Sequence, residues 1–294
     1  MSMRTLSHFS STLLALGFAS TAFAGWNQLD LNEPSNQDPE VSYLGSFNYN
    51  GQTYGPSTAV TVPGQAGASV ANLFDLKDLQ PFTLYGKNGK GGQGHNDDLS
   101  LTSNDGSASA RAPVVYRVYR QNYSAAVVNL SRGTEARHFV KSVVGEQTMP
   151  GTLVNGTYSY AGVTFSNFPR GMFDYQVAVT GPSTATGQGS FSLNELKIPA
   201  SQSSTGMDIF FDITNGKLDP TALATTSNGL VFDGDVTITN ADVSNPAAWN
   251  AIKGPTSNPT YSLTLFGPQG AEIAGSIEGL PERIGSVAVI GAKQ

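Results

Sequence analysis

The chain has 294 residues, of which 33 are glycine and only 13% are charged, with a formal net charge of −6. That balance excludes a nucleic-acid binder of the ordinary basic kind, because no stripe of lysine and arginine is present to meet phosphates. The absence of cysteine excludes disulfides, thiolate metal centres and covalent haem attachment through C-x-x-C-H.

In chain order, residues 1–24 read as a secretory signal. Arg4 gives a basic start, Leu13–Ala19 a short apolar middle and Ala22–Phe23–Ala24 an A-x-A ending. The apolar run falls well short of the ~20 residues that span a bilayer as a helix. Cleavage is expected after Ala24, and no cysteine lies nearby to take a lipid. The expected product is a secreted, extracellular protein without an anchor. Its abundant Gly, Ser, Thr and Asn fit an all-β extracellular chain with many turns.

Helical periodicity is confined to Val70–Leu79, which predicts one short helix stopped by Pro81. Val114–Arg120 and Tyr123–Val128 alternate with period two and predict paired strands joined by Gln121–Asn122. The Gly/Pro-bearing stretch Val144–Gly151 reads as a linker between two strand-rich halves. The expected organisation is therefore 25–150, a β-rich domain with long loops, followed by 151–294.

The second half contains eight strand-like runs bounded by Gly, Pro, Asn or Asp: Thr157–Phe165, Gly171–Val179, Gly187–Leu193, Met207–Asn215, Leu230–Asn240, Tyr261–Gly267, Glu272–Gly279 and Gly285–Ala292. Ile209, Phe211 and Ile213 alternate with Asp208 and Asp212. Phe232, Val236 and Ile238 share a face with Gly234 between them. Alternation turns one face inward and the other to water. Eight short antiparallel strands make either a sandwich or a barrel. Closure has the advantage of removing both sheet edges, and eight strands enclose an interior just wide enough for side chains to fill. Small residues among large ones, such as Gly234, Gly275 and Gly291, suit such an interior.

Catalytic motifs are missing. There is no G-x-S-x-G elbow, no zinc helix motif and no phosphate loop; Gly89–Lys90–Gly91–Gly92 lacks the Ser/Thr that a phosphate loop requires. Asp97–Asp98, Asp233 and Asp235 read as solvent or turn residues. No enzymatic activity is expected.

The C-terminal stretch SLTLFGPQGAEIAGSIEGLPERIGSVAVIGAKQ resembles the closing barrel of transferrin-binding-protein-like and factor-H-binding-like bacterial surface proteins. The matching positions are Phe266, Gly267, Pro268, Glu272, Ile273, Gly275, Val287, Val289, Gly291, Ala292 and Lys293. The segment GEQTMPGTLVNGTYSYAGVTFS resembles the entry to that barrel, with Pro150 and Gly151 before a strand at Tyr160 and Gly162. YRVYRQNYSAAVV resembles the paired strands of the preceding handle domain. The resemblance covers about half the chain and favours the barrel over the sandwich. It implies an all-β protein with an N-terminal β-rich handle domain and a C-terminal eight-stranded antiparallel β-barrel.

Family members are mostly lipid-anchored and exported across the Gram-negative outer membrane by the Slam-type translocon. A chain without the lipobox cysteine resembles the soluble hemophilin branch, secreted hemophores that serve iron acquisition and carry haem in the handle. The resemblance thus implies a secreted haem-binding protein that hands haem b to a TonB-dependent outer-membrane receptor, with host haem proteins as a source. The alternative it leaves open is a host-protein-binding module of the same export family without a haem site.

The histidines bear on that choice. His8 leaves with the signal, and only His95 and His138 remain, both ahead of the barrel. His95 follows the glycine-rich Lys87–Gly94, where the backbone can approach a flat ligand because no Cβ intervenes. His138 follows Arg132–Arg137 and precedes Phe139. Non-covalent haem needs an axial ligand, an apolar slot and cations for its propionates. His95 and His138 are the metal and cofactor ligands this reading assigns. Arg111, Arg117, Arg120, Arg132, Arg137, Lys87 and Lys90 are the available cations. Read without the family, the same glycine run is equally a flexible loop, and Tyr116, Tyr119 and Tyr123 are cross-strand partners before they are porphyrin contacts.

Overall fold

The computed structural model describes residues 28–30, 46–49, 52–54, 70–71, 73–85, 101–102, 115–130, 138–166, 170–227, 229–253, 258–281 and 284–294. Among the described residues every regular element is a strand, apart from three 3-10 turns and one α-helix.

The front strands are β1 (Gln28–Asp30), β2 (Ser46–Tyr49), β3 (Gln52–Tyr54), β4 (Val70–Ala71), β5 (Leu73–Asp75), β6 (Thr83–Tyr85), β7 (Leu101–Thr102), β8 (Val115–Arg120), β9 (Ser124–Leu130) and β10 (His138–Gly145). They form a β1–β5 pair, a sheet ordered β4-β3-β2-β7 and a sheet ordered β10-β9-β8-β6. The hairpin expected from Val114–Val128 is present as β8 and β9, in antiparallel register from Val115↔Leu130 to Arg120↔Ala125.

The helix expected over Val70–Leu79 does not form. Those residues make β4, β5 and a 3-10 turn at Leu76–Asp78. The Asp75 carboxylate accepts from the Lys77 amide at 2.9 Å and caps the turn. Leu76 and Leu79 are both fully buried. Pairing of β5 with β1 and a single tight turn satisfy the same apolar residues that the helical period suggested.

The second half is the barrel: β11 (Gly156–Phe165), β12 (Arg170–Gly181), β13 (Thr184–Ile198), β14 (Ile209–Thr226), β15 (Gly229–Thr237), β16 (Thr260–Phe266), β17 (Glu272–Glu278) and β18 (Val287–Lys293). Neighbours in sequence pair antiparallel around the ring, and β11 closes on β18. Each of the eight predicted runs has its strand. Two strands, β13 with 15 residues and β14 with 18, are about twice as long as the runs, because bulges carry the ladder through residues that read as strand ends. The β13–β14 register shifts between Leu193 and Leu196, where Glu195 takes a left-handed conformation with φ 63. The β14–β15 register shifts between Leu218 and Leu223, across Asp219 and Pro220. Such bulges also sharpen the bend that a closed sheet needs.

Inward positions hold a continuous core that includes Phe173, Tyr175, Val177, Phe191, Phe232, Leu263, Ile273, Val287 and Val289. Tyr175 sits at its centre, with ring centroids 6.0 Å from Phe173, 5.6 Å from Phe232 and 6.0 Å from Tyr261. Its hydroxyl and that of Tyr261 are 3.2 Å apart, and Tyr261 donates onward to the Asp219 carbonyl at 2.6 Å. Gly234 faces the Tyr261 ring so closely that a Cβ there would lie 2.7 Å from it. Glycine among large residues is thus how this narrow interior fits whole aromatic rings. One end is covered by α1 (Pro246–Ile252). Asn245 accepts from the Ala248 amide at its start, and Trp249 packs into the barrel core.

Outward, β12 and β13 are polar and exposed at positions such as Asp174, Gln176, Thr186 and Gln188. The outward residues Phe165, Ala274, Ala288 and Ile290 are instead fully buried, because the β10-β9-β8-β6 sheet lies against them.

Candidate functional site

Strand directions make the two ends of the handle sheet different. The turn Gln121–Tyr123 lies at one end, against Glu272 and Gly267 of the barrel. At the opposite end, Val115 begins β8 and pairs with Leu130, the last residue of β9, which pairs in turn with His138, the first residue of β10. β6 runs antiparallel to β8, with Tyr85 opposite Val118, so it also ends toward that side. Four strand termini therefore share the end opposite the Gln121–Tyr123 turn. From them depart the stretch after Tyr85 that contains His95, the stretch before Val115 and the connection between Leu130 and His138.

His138 is placed by its backbone at the start of the outer strand β10. His95 lies outside the described residues, as do the glycine run before it, Arg111, Arg132, Arg137, Lys87 and Lys90. Among the described residues no group of three or more His, Cys, Asp or Glu could hold a metal ion.

Two of the expected cations are committed elsewhere. Arg117 is 1% exposed and donates through Nη1 to the Ser166 carbonyl at 2.6 Å. Burial, with Arg170 nearby and against an opposing effect of Glu195, lowers its guanidinium to about 10, so it stays charged at neutral pH. Arg120 donates to the Leu79 carbonyl at 3.1 Å. Tyr119 packs on Phe165, with ring centroids 6.4 Å apart, and Tyr123 covers Gly267. These two tyrosines thus pack against the barrel, and Tyr123 lies in the turn between β8 and β9 instead of forming the expected cross-strand pair.

The Gln121–Tyr123 end of the handle sheet is a built joint. Glu272 opens β17 and is 2% exposed. Its carboxylate accepts from the amides of Asn122 (2.9 Å) and Tyr123 (3.0 Å) and from the Ser124 hydroxyl (2.8 Å). Gly267 has φ +73, and a Cβ there would come 2.6 Å from the Tyr123 ring. The 144–151 stretch is bonded down rather than free. Glu146 donates to the Tyr123 carbonyl (2.9 Å) and accepts from the Gly267 amide (2.6 Å), while the Thr148 amide donates to the Leu265 carbonyl (2.9 Å). Phe266, Gly267 and Glu272, noted in sequence only as marks of a closing barrel, are thus the socket for the Gln121–Ser124 turn. No sequence signal distinguishes these roles, since the partner is ~150 residues away.

The joint titrates. Burial raises the Glu272 carboxyl above the ordinary carboxylate range, outweighing the hydrogen bonds from Ser124, Tyr123 and Asn122 that lower it. Glu278 is raised in the same way against bonds from Ser276 and Ser286. A raised carboxyl keeps its proton in the fold after the unfolded chain has released it. Its stabilising contribution is complete below the unfolded value, near pH 4, and is lost as pH climbs through the folded one. The thermal midpoint of Glu272→Gln/Glu278→Gln, followed by circular dichroism from about pH 4 to 7, should fall less steeply with pH than that of the parent. An unchanged slope would remove these carboxyls as its source.

No helix among the described residues is long and apolar enough to cross a membrane. No protein-family model matches the chain, and no curated protein matches it significantly. A solved structure similar to it is that of the vaccine antigen Transferrin Binding Protein B from Haemophilus parasuis Hp5, in a double-mutant form. The two share 15% identity at a TM-score of 0.36, over 91% of this chain and 44% of that one, so the chain matches less than half the length of that protein.

Proposed function

We propose that the chain is a secreted haem-binding protein, with His95 and His138 as iron ligands at the end of the handle sheet opposite the Gln121–Tyr123 turn and the barrel as its rigid mount. The observation that carries this reading is the convergence of strand termini described above. The stretch to His95 leaves the same sheet end at which His138 begins β10. Crossing from β6 to β10 takes three strand spacings, about 14 Å. The ten residues from Tyr85 to His95 reach roughly 33 Å when extended. The chain therefore permits both imidazoles to meet one ligand. A filled barrel core favours a ligand held outside the barrel. Two of the seven cations named above serve the joint and the sheet, which leaves Lys87, Lys90, Arg111, Arg132 and Arg137 for the propionates. Haem is cargo here, received outside the cell after passage through a Slam-type translocon and passed to a TonB-dependent receptor.

Absorbance titration of the purified protein with haemin tests this. A sharp Soret band at one equivalent is expected, and His95→Ala/His138→Ala should abolish it. A spectrum and affinity unchanged in the double variant would reject the assignment. Retention of a serum protein by a chain that gives no Soret band would replace haem with a host-protein ligand.

A further inference from the structure

We infer that the handle sheet is a latch on the barrel's closing seam, so that releasing the handle opens the ring between its first and last strands. The barrel closes through six residue pairs, from Tyr160↔Lys293 to Phe165↔Ala288; β14–β15 and β17–β18 also share six and β15–β16 five, so what sets the seam apart is the cover over it and not the length of its ladder. A ladder that depends on a covering layer opens when that layer is removed.

The handle holds it from both sides. Outward residues of β11 (Phe165), β17 (Ala274) and β18 (Ala288, Ile290) form one apolar cluster with Ala126 and Val128 of β9. Polar ties then grip each flank. On the β11 flank, Arg117 donates to the carbonyl of Ser166, just past the strand. On the β17–β18 flank, Glu272 accepts from the 122–124 turn, and the Val140 amide donates to the Ser286 hydroxyl at 2.8 Å. Gln121, with its amide oriented to serve both neighbours, donates to the Gly291 carbonyl (3.1 Å) and accepts from the Ala292 amide (3.2 Å) on β18. Lifting the sheet would expose the apolar cluster and remove these ties together. Away from the seam, the β12–β13 and β13–β14 ladders are longer, with nine registered pairs each.

Hydrogen exchange on the full chain tests the latch. Tyr123→Ala removes the ring over Gly267 from the handle side and leaves the barrel core intact. Ser124→Ala removes a single donor to Glu272 and serves if the first variant does not fold. Amides of β11 and β18 are expected to exchange at least about tenfold faster in the variant, with β13 and β14 unchanged. Because the chain has no cysteine, Ala161→Cys/Ala292→Cys, at directly opposed seam positions, can staple the ring. The staple should return β11 and β18 to parental exchange while β8–β10 stay fast. Loss of protection in β8–β10 alone, or equal acceleration across all eight barrel strands, would overturn the latch.

Discussion

Tyr175→Ala is expected to destabilise the protein by about 3–5 kcal/mol, read as a lowered midpoint in urea unfolding. The side chain is 2% exposed and touches Phe173, Phe232 and Tyr261. Removing it leaves a void that the ring of strands cannot collapse into, since each strand is pinned to two neighbours. Tyr175→Phe keeps the volume and loses only the 3.2 Å hydroxyl pair with Tyr261. Tyr261 retains its bond to the Asp219 carbonyl, so this change should cost only about 1 kcal/mol. Equal losses in the two variants would mean that the hydroxyl pair, not the packing, holds the interior. Burial also raises the Tyr175 hydroxyl above the ordinary tyrosine range, so the pair remains neutral and the comparison holds across mildly alkaline pH.

Gly275→Ala should be nearly as damaging, for a different reason. Gly275 pairs with Leu263 across the β16–β17 ladder, and a Cβ there would overlap the carbonyl oxygen of Ser262. A main-chain atom cannot rotate aside, so the two strands must part. Overpacking ordinarily costs about 1–3 kcal/mol, and an obstruction of this kind belongs at the upper end, near 3 kcal/mol. Gly151→Ala is the control. Gly151 has φ +83, and a Cβ added there would meet nothing within 4 Å, so only backbone strain of about 1–2 kcal/mol applies. Urea unfolding of both variants should rank Gly275→Ala as clearly the worse. The reverse order would show that the β16–β17 spacing is not as tight as the glycine implies.

The barrel was legible because its signal is local. Ile209, Phe211 and Ile213 against Asp208 and Asp212 report a face without reference to any other strand. The lengths of β13 and β14 were not legible, because Gly187, Asn194 and Pro220 punctuate a sequence and can also sit in bulges. Which of the two applies depends on the partner strand. The Val70–Leu79 stretch failed for a related reason. Its apolar residues are spaced acceptably for a helix, a strand and a turn, and pairing with β1 decided the matter. Within the candidate site, the positions of His95 and His138 along the chain were visible at once. That the strands before them end on one side of one sheet follows only from the registers.

By itself the sequence determined that this is a cysteine-free, strand-rich chain whose second half holds eight short amphipathic strands with glycines among the inward positions. Period-two alternation and turn residues encode those properties within a few positions of each other. Only the tertiary structure decided what covers the outside. β17 and β18 are buried on both faces, and their continuous apolar runs read as generic core until the handle sheet is seen lying on Ala274, Ala288 and Ile290. Glu272 likewise reads as a surface carboxylate until the turn at 122–124 closes over it. Such pairings join residues ~150 positions apart, and burial of that kind is a property of the assembled surface that no local pattern records.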